Sequence, residues 1–203
     1  MARLTDRDKR CYQFLIDTGL PMTSHQVARC FYNQSGNLSS AVVIANRRLK
    51  VLYENNYLER LSRKFGESQI FYAREKPNQK QLRHKLLMSE FIASLSSNGF
   101  EILSVETEKQ FMDGELRSDL FIKAKYHKDE FYIIAEVDLS KDFNVGGYEK
   151  FISKLQSREI KFDKKLLIVS ISDRKIESDI KKYIITLDTE LKNIEKIKWQ
   201  FIK

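Results

Sequence analysis

The amino-acid sequence predicts an α+β fold in two parts, and three observations support this prediction. Amphipathic helical patterns fill most of residues 1–56, and two short strand patterns come directly after them. A polar segment with Pro77 and Asn78 then separates this region from a second one, in which strands alternate with helices. Hydrophobic residues make up 42% of the 203 positions, which is enough to bury a core. We expect one domain over residues 1–75 and another over residues 80–203.

The first two helices are indicated by the residues at their ends. Thr5 precedes a turn rich in acidic residues, as an N-terminal cap commonly does, and an apolar stripe continues from there. Gly19 and Pro21 end this helix. Ser24 is the expected cap of a second, short helix, and a polar loop over residues 33–37 follows it.

A third helix is predicted from a cap at Ser39 or Ser40 to about Asn56. Its positions divide into two faces at helical spacing. The face expected to pack inward holds Leu38, Val42, Ala45, Leu49 and Leu52. The opposite face holds Ser40, Val43, Arg47 and Lys50, and it is flanked by Asn46 and Arg48.

The chain after this helix has the pattern of a basic hairpin. Strands are expected over residues 57–61 and 70–72, and the loop between them contains Arg63, Lys64 and Gly66. A short helix, a turn, a basic helix and a basic hairpin together make a winged helix-turn-helix, whose third helix enters the major groove of DNA. The sequence therefore predicts binding of double-stranded DNA through its first part.

The distribution of charge supports this prediction. Residues 1–75 hold 12 Lys and Arg against 7 Asp and Glu, whereas the remaining residues hold 24 against 21. Positive charge is thus denser in the first part, as expected of a region that binds phosphates. The alternative is that the basic residues form only a solvated surface and that the module mediates protein contacts. The expected DNA contacts are Ser40, Arg47, Arg48 and Lys50 on the third helix, with Arg63 and Lys64 contacting phosphates from the wing.

The second part begins with a helix from about Gln81 to Asn98. Strands are expected over residues 101–106, 119–126, 130–139, 165–170 and 183–187, with a last one near 197–202. Helices are expected over residues 148–157 and 175–182. This order predicts a mixed α/β domain with an early hairpin and later crossover units.

Three carboxylates lie at the ends of the two strands of that hairpin. With a turn near Lys128, antiparallel pairing would place Asp119 opposite residue 137 or 138. Glu136 and Asp138 project from one sheet face because they are two residues apart. Such oxygen-rich clusters suit Mg²⁺ or Mn²⁺, which can polarise a phosphate and activate a water molecule. We expect these three acids to bind the metal ion; the alternative is that acids at strand ends simply face solvent.

The spacing of the acids resembles the PD-(D/E)xK nuclease core. Asp119, preceded by Arg117 and Ser118, would be the aspartate of that motif, and Glu136-Val137-Asp138 would be its (D/E)xK. Ser118 stands in place of the proline and Asp138 in place of the lysine. The resemblance implies a restriction-endonuclease-like domain that cleaves DNA with Mg²⁺ or Mn²⁺. A lysine from elsewhere in the chain could serve instead, the candidates being Lys141, Lys150 and Lys154.

The order of motifs along the chain also resembles the replication-relaxation family of mobile-element proteins, which includes MOBC-type conjugative relaxases. The resemblance implies a winged helix joined to a nuclease-like domain that nicks or helps to relax plasmid DNA at a transfer or replication origin, together with other relaxosome proteins. The resembling stretches are Leu4-Thr5-Asp6-Arg7-Asp8, Arg47-Arg48-Leu49 with Tyr57-Leu58, the helix with His84, and Ala135-Glu136-Val137-Asp138.

Two other residues have a candidate catalytic role. His84 would contact the metal ion or a phosphate, or it is a partly buried histidine with a structural role. Tyr148 is the nearest candidate for a tyrosine nucleophile, although an activated water molecule is favoured. If the nuclease-like domain lacks activity, the chain would be an accessory DNA-binding factor or a transcriptional regulator.

The sequence also predicts a cytoplasmic protein without membrane contact. No stretch approaches 18 apolar residues, and the first residues lack the apolar core of a signal peptide. Cys11 and Cys30 lie in apolar helical patterns without metal-ligand spacing, so we expect them to be reduced and packed among hydrophobic residues.

Overall fold

The computed structural model describes residues 3–33, 36–61, 67–139 and 143–201. The chain is an α+β protein that divides into two compact units, Met1–Ser97 and Asn98–Lys203. The first is mainly helical with a small antiparallel sheet, and the second contains a five-stranded mixed sheet. In the described ranges, no helix is both long enough and apolar enough to cross a membrane.

The described residues of the first unit form four α-helices and a three-stranded antiparallel sheet in the order β1-β3-β2. A π-helical segment, Ala28–Tyr32, continues the second helix without a break. The elements in chain order are α1 (Asp6–Thr18), β1 (Met22–Thr23), α2 (Ser24–Val27), α3 (Leu38–Glu54), β2 (Glu59–Leu61), β3 (Ile70–Tyr72) and α4 (Gln79–Ser97).

The ends of α1 confirm the sequence prediction. Thr5 and Asp8 form a reciprocal capping box, in which each side chain accepts a hydrogen bond from the backbone N–H of the other. Gly19 ends the helix with a φ of 62°, a left-handed conformation that glycine adopts without strain. Helix α2 begins at Ser24, one residue earlier than expected, and the predicted cap at Ser24 was wrong. Its cap is Thr23, whose hydroxyl accepts a hydrogen bond from the N–H of Gln26 at 3.2 Å.

Helix α3 begins earlier than the sequence analysis placed it. Its cap is Asn37, whose Oδ1 accepts a hydrogen bond from the N–H of Ser40 at 3.1 Å. The predicted cap at Ser39 or Ser40 was therefore wrong, because an Asx side chain already satisfies the free N–H groups of the first turn. Leu38 was wrongly predicted to pack inward and is 41% exposed, whereas Ala41 is buried.

The rest of the inward face of α3 is confirmed and forms the core of the first unit. Ala45, Leu49 and Leu52 have no exposed surface, and Val42 packs against the same cluster.

The small sheet contains a strand that the sequence did not reveal: β1 pairs with β3, with Met22 opposite Phe71. Two residues are too few to show a periodic pattern.

Helix α4 belongs to the first unit, so the boundary lies after Ser97 rather than within residues 76–79. The side-chain amide of Gln26 donates hydrogen bonds to the carbonyl oxygen of Leu86 at 3.1 Å and to Glu90 at 3.0 Å. Arg29 forms an ion pair with the same Glu90. The hydroxyl of Ser89 donates to the carbonyl oxygen of Pro21 at 2.7 Å. These polar contacts attach α4 to the α2 region.

The second unit is arranged around a sheet of order β4-β5-β6-β7-β8. The first three strands pair antiparallel and the last three pair parallel, so β6 takes part in both arrangements. Helix α5 connects β6 to β7. The elements are β4 (Glu101–Phe111), β5 (Leu116–Tyr126), β6 (Asp129–Val137), α5 (Val145–Gln156), β7 (Lys165–Ile171) and β8 (Ile184–Leu187).

Two elements predicted near the C-terminal end were wrong. The helix expected over residues 175–182 is only a short 3-10 helix, Asp179–Tyr183, which starts at a cap formed by Ser178. The strand expected near residues 197–202 is replaced by 3-10 helices, Ile194–Lys196 and Lys198–Gln200. Local i→i−3 hydrogen bonds there, such as Ile197 N–H to the carbonyl oxygen of Ile194 at 3.1 Å, use the groups that a strand would have offered to a neighbour.

Helix α5 covers the sheet face that carries the acidic residues described below. Tyr148 and Phe151 of the helix are fully buried and share a cluster with Ile134 of β6 and Ile168 of β7. The phenol ring of Tyr148 also stacks on Phe143, with 4.6 Å between the ring centroids. This apolar packing holds the start of α5 close to the end of β6.

Candidate functional site

The pairing of β5 with β6 determines how the predicted acids meet. Tyr126 lies opposite Asp129 and Leu120 opposite Ala135, with no shift of register between them. Continued by one residue, this register places Asp119 opposite Glu136, not opposite residue 137 or 138 as predicted. Directly opposed residues of an antiparallel pair point to the same sheet face. Asp138 shares that face because it is two residues beyond Glu136.

Hydrogen bonds fix the orientation of the two opposed acids. Oδ2 of Asp119 accepts a hydrogen bond from the backbone N–H of Val137 at 2.8 Å. Oε1 of Glu136 accepts one from the hydroxyl of Tyr148 at 2.8 Å. The backbone N–H of Asp138 donates to the carbonyl oxygen of Ile171, so the end of β6 stays attached to β7. We call Asp119 and Glu136 the acid pair.

Burial and like charges change the protonation of Glu136. Burial raises the pKa of Glu136, the negative charges of Asp119 and Asp138 raise it further, and the hydrogen bond from Tyr148 opposes part of this effect. The resulting pKa is about 9. Without a compensating cation, the Glu136 carboxyl is therefore protonated at neutral pH. A carboxyl group perturbed to this degree is more common at functional sites than elsewhere.

Tyr148 does not have the properties of a nucleophile. Its side chain is fully buried, and burial together with the negative charge of Glu136 raises the pKa of the phenol. A phenolate is thus disfavoured at this position. The hydroxyl instead donates to Glu136 and holds that carboxylate in place.

The donor atoms of the acid pair suit a hard divalent cation. The described ranges contain no group of three or more His, Cys, Asp or Glu side chains arranged to hold a metal ion. They do contain the acid pair, with Asp138 near enough to raise the pKa of Glu136. Mg²⁺ commonly binds through one or two carboxylates and completes its octahedron with water and substrate phosphate oxygens. Two carboxylates on one face therefore fit such an ion.

A buried hydroxyl group lies beside the acid pair. Ser170 of β7 is directly opposite Glu136 in the parallel pairing of β6 with β7. Its Oγ is buried and has no hydrogen-bond partner among the residues that the structure describes. A buried polar atom without a partner is uncommon, and a bound water molecule or ligand oxygen would satisfy it.

A cavity of about 330 Å³ opens next to this serine at the carboxyl ends of the strands. Its polar and charged lining consists of Ser170, Ser172, Arg174, Lys175 and Glu177, and its apolar lining includes Phe143. Arg174 and Lys175 are exposed residues that come directly after β7. They supply positive charge within reach of an anionic ligand in the cavity. The sequence analysis missed both residues because only the parallel pairing of β6 with β7 brings the two strand ends together.

The three lysines that could replace the lysine of the nuclease motif differ in exposure and in contacts. Lys150 is exposed and forms an ion pair with Glu115 at 3.5 Å. Lys154 is half-buried on α5. Lys141 lies outside the described residues.

His84 and the three acids lie in different units of the chain. His84 is a half-buried residue of α4, in the first unit, and its catalytic role stays a prediction. Glu90 on the same helix has a structural role, because it binds Gln26 and Arg29.

The predicted DNA contacts on α3 are of two kinds: some are exposed on the outer face, and one binds a residue of α1. Ser40, Arg47 and Lys50 are exposed, as predicted. Arg48 instead forms an ion pair with the fully buried Asp8 and donates to it from Nε at 3.0 Å. Its guanidinium group therefore fixes α3 to α1. The predicted wing contacts, Arg63 and Lys64, lie outside the described residues.

Asp8 is the centre of a buried polar network that supports α3. Burial alone would raise the pKa of this carboxyl, but hydrogen bonds from Arg48, Thr5 and Tyr32 outweigh burial and lower the pKa to about 2. The hydroxyl of Tyr32 donates to Oδ1 at 2.8 Å. Asp8 thus remains ionised and paired at neutral pH.

No protein-family model matches this chain, and neither does any curated protein.

Proposed function

We propose that this protein binds double-stranded DNA and nicks it with a divalent cation held by the acid pair. The observation that carries the proposal is the position of Asp119 directly opposite Glu136 on one sheet face. Ser170, the neighbour of Glu136 on β7, lines a cavity that also has Arg174, Lys175 and Glu177 in its lining. Buried like charges on one face are costly unless a cation compensates them. A site that concentrates carboxylates next to an anion-sized cavity suits cleavage of a phosphodiester.

The first unit supports the DNA-binding half of the proposal. Its elements follow the order α1-β1-α2-α3-β2-β3, and its sheet has the order β1-β3-β2, an arrangement typical of a winged helix-turn-helix. In such a module α3 enters the major groove. The exposed Ser40, Arg47 and Lys50 would contact DNA there, while Arg48 positions the helix.

The residues of the second unit would each contribute to cleavage in a different way. Asp119 and Glu136, with Asp138 beside them, would hold Mg²⁺ or Mn²⁺, which polarises the phosphate and lowers the pKa of a bound water molecule. The N–H of Val137 keeps Asp119 oriented, and Tyr148 does the same for Glu136. Arg174 and Lys175 would neutralise the phosphate that enters the cavity. The five-stranded mixed sheet is compatible with a restriction-endonuclease-like domain.

The DNA target in this proposal is a transfer or replication origin of a plasmid or an integrative conjugative element. The support is the order of motifs that resembles the replication-relaxation family, from Thr5 to Asp138. Other relaxosome proteins would be partners at such an origin, and His84 is retained as a candidate for phosphate or metal contact.

Incubation with supercoiled DNA tests the nicking activity. With Mn²⁺ and an origin-bearing plasmid, we expect open-circular product from the wild type and none from Asp119→Asn or Glu136→Gln. Asp129→Asn is a matched control, because Asp129 is an exposed acid at the opposite end of the same hairpin. Full nicking by either acid-pair variant contradicts the proposal.

A second candidate function is that of a non-catalytic DNA-binding accessory factor or transcriptional regulator. Two observations favour it: Asp138 stands where the resembling nuclease motif has lysine, and the described residues hold no three-ligand metal group. A thermal shift experiment separates the candidates. An increase of Tm with Mn²⁺ that disappears in Asp119→Asn supports the enzyme, whereas duplex binding without any Mn²⁺ shift supports the accessory factor.

A further inference from the structure

A second concave surface of the second unit lies over β7 and β8. It is a groove of about 550 Å³, lined by residues of both strands and by the 3-10 helices at Asp179–Tyr183 and Lys198–Gln200. None of its lining residues is shared with the cavity beside the acid pair. The proposed cleavage site therefore does not account for this groove.

Two large aromatic side chains at the groove are exposed. Trp199 is 61% exposed and Tyr183 is 43% exposed, although residues of this size normally bury most of their surface. The ring of Tyr183 is held in position, because its hydroxyl accepts a hydrogen bond from the side-chain amide of Gln156 at 2.8 Å. Exposed aromatic rings at a concave surface are typical of a site where a planar ligand stacks.

The same groove has a positive lining. Lys165, Lys182 and Lys196 contribute to it, and its described lining includes no acidic residue. The ammonium group of Lys196 donates to the carbonyl oxygen of Thr186 at 3.0 Å, and that of Lys165 donates to the carbonyl oxygen of Gln200 at 2.5 Å. Both charges are thus fixed at the wall of the groove. The ammonium of Lys182 lies 5.1 Å from the ring centroid of Tyr183.

We propose that this groove binds single-stranded DNA. Bases of an unpaired strand stack on Trp199 and Tyr183, and the phosphates between them contact the three lysines. The combination of stacking surfaces with a basic groove is how proteins bind single strands without reading their sequence. In a duplex the base faces are covered by neighbouring bases, so duplex DNA does not use these rings. The inference does not depend on cleavage by the acid pair.

The fluorescence of Trp199 tests the inference directly, because it is the only tryptophan of the chain. Titration of the full chain with a thymidine oligonucleotide of about 12 residues is expected to quench this fluorescence to saturation, since single-strand-binding domains typically accept roughly 4–16 nucleotides. Inorganic polyphosphate carries similar charge without bases and is the comparison ligand. Equal quenching by polyphosphate would show that stacking is absent and would overturn the proposal.

Variants measured with a labelled oligonucleotide complete the test. Trp199→Ala and Tyr183→Ala are each expected to weaken single-strand binding about tenfold, whereas Trp199→Phe keeps a stacking ring and loses less. Lys128→Ala removes an exposed lysine at the β5–β6 turn and is expected to leave binding unchanged. An Arg47→Ala/Lys50→Ala variant should lose duplex binding and keep single-strand binding. Unchanged single-strand affinity in both aromatic variants, with an unchanged Tm, would refute the inference.

Discussion

The hydroxyl of Tyr148 donates a hydrogen bond of 2.8 Å to Oε1 of Glu136. This contact joins the start of α5 to the end of β6, and it gives one oxygen of the acid pair a fixed direction. A carboxylate that is oriented by a donor outside the site loses less freedom when it binds a cation. Tyr148 is thus a positioning residue for Glu136 in the proposed site.

Tyr148→Phe is expected to weaken Mn²⁺ binding about tenfold, because the ring remains and only the oriented donor is lost. The stacking on Phe143 should keep the helix in place, so Tm without metal should change little. Calorimetric titration with Mn²⁺ measures the effect. Nicking should return at high Mn²⁺; complete loss of nicking at saturating Mn²⁺ would instead indicate a chemical role for the phenol.

Glu136→Gln is expected to stabilise the metal-free protein by about 2 kcal/mol, corresponding to an increase in Tm of about 5 °C. The reason is that burial and the charges of Asp119 and Asp138 raise the pKa of Glu136 to about 9, so folding at neutral pH must add a proton to this carboxyl. Glutamine is already neutral and does not carry this cost. Thermal unfolding in EDTA at neutral pH measures this. The same substitution should remove any stabilisation by Mn²⁺, so gain of stability and loss of metal binding are expected together. A lower Tm in EDTA would contradict the prediction.

The adjacent residues Arg47 and Arg48 are expected to respond oppositely to replacement by alanine. Arg47→Ala should weaken duplex binding about tenfold and leave Tm unchanged, because its side chain is exposed on the outer face of α3. Arg48→Ala should lower the free energy of unfolding by about 3 kcal/mol, because it leaves the fully buried Asp8 without its cation. Binding isotherms and urea unfolding of both variants provide the comparison. Equal stability of the two variants would show that the ion pair has no structural role.

Acid is expected to destabilise the first unit through Asp8. Its pKa falls from an ordinary 3.8 to about 2 in the folded protein, so the carboxylate stabilises the fold fully above about pH 4. This contribution, about 2 kcal/mol, is lost as pH decreases through 2. Asp8→Asn should be less stable than the wild type at pH 7 and should lose less stability between pH 4 and pH 2. Parallel loss in both proteins over that interval would rule out Asp8 as the source.

The sequence predicted much of the fold where the signals are local. Thr5 and Gly19 mark the ends of α1 correctly, because caps act through the nearest backbone groups. The strands of the hairpin were also recognised, but the register was not, because only the turn geometry at His127, with a φ of 54°, determines which residues face each other.

Long-range partners were beyond sequence reasoning. Arg47 was expected on the outer face of α3 and Arg48 at its flank, and only the position of α1 shows that Arg48 binds Asp8. Arg174 and Lys175 come after β7 in the chain, and they share a cavity with Ser170. Only the parallel pairing of β7 with β6 places Ser170 opposite Glu136. The three acids could be identified from the sequence, whereas the residues around them could be identified only from the structure.

The attachment of α4 to the first unit limits how this chain can be divided and reused. A recombination event that separates residues 1–75 from the rest of the chain would remove Glu90 from the first unit. Gln26 and Arg29 would then lose the carboxylate that they bind. Such a recombinant would carry a first unit that folds poorly. A break after Ser97 would keep the helix with its partners. Exchange between genes should therefore preserve residues 1–97 as one heritable piece, and the second unit should change independently of it.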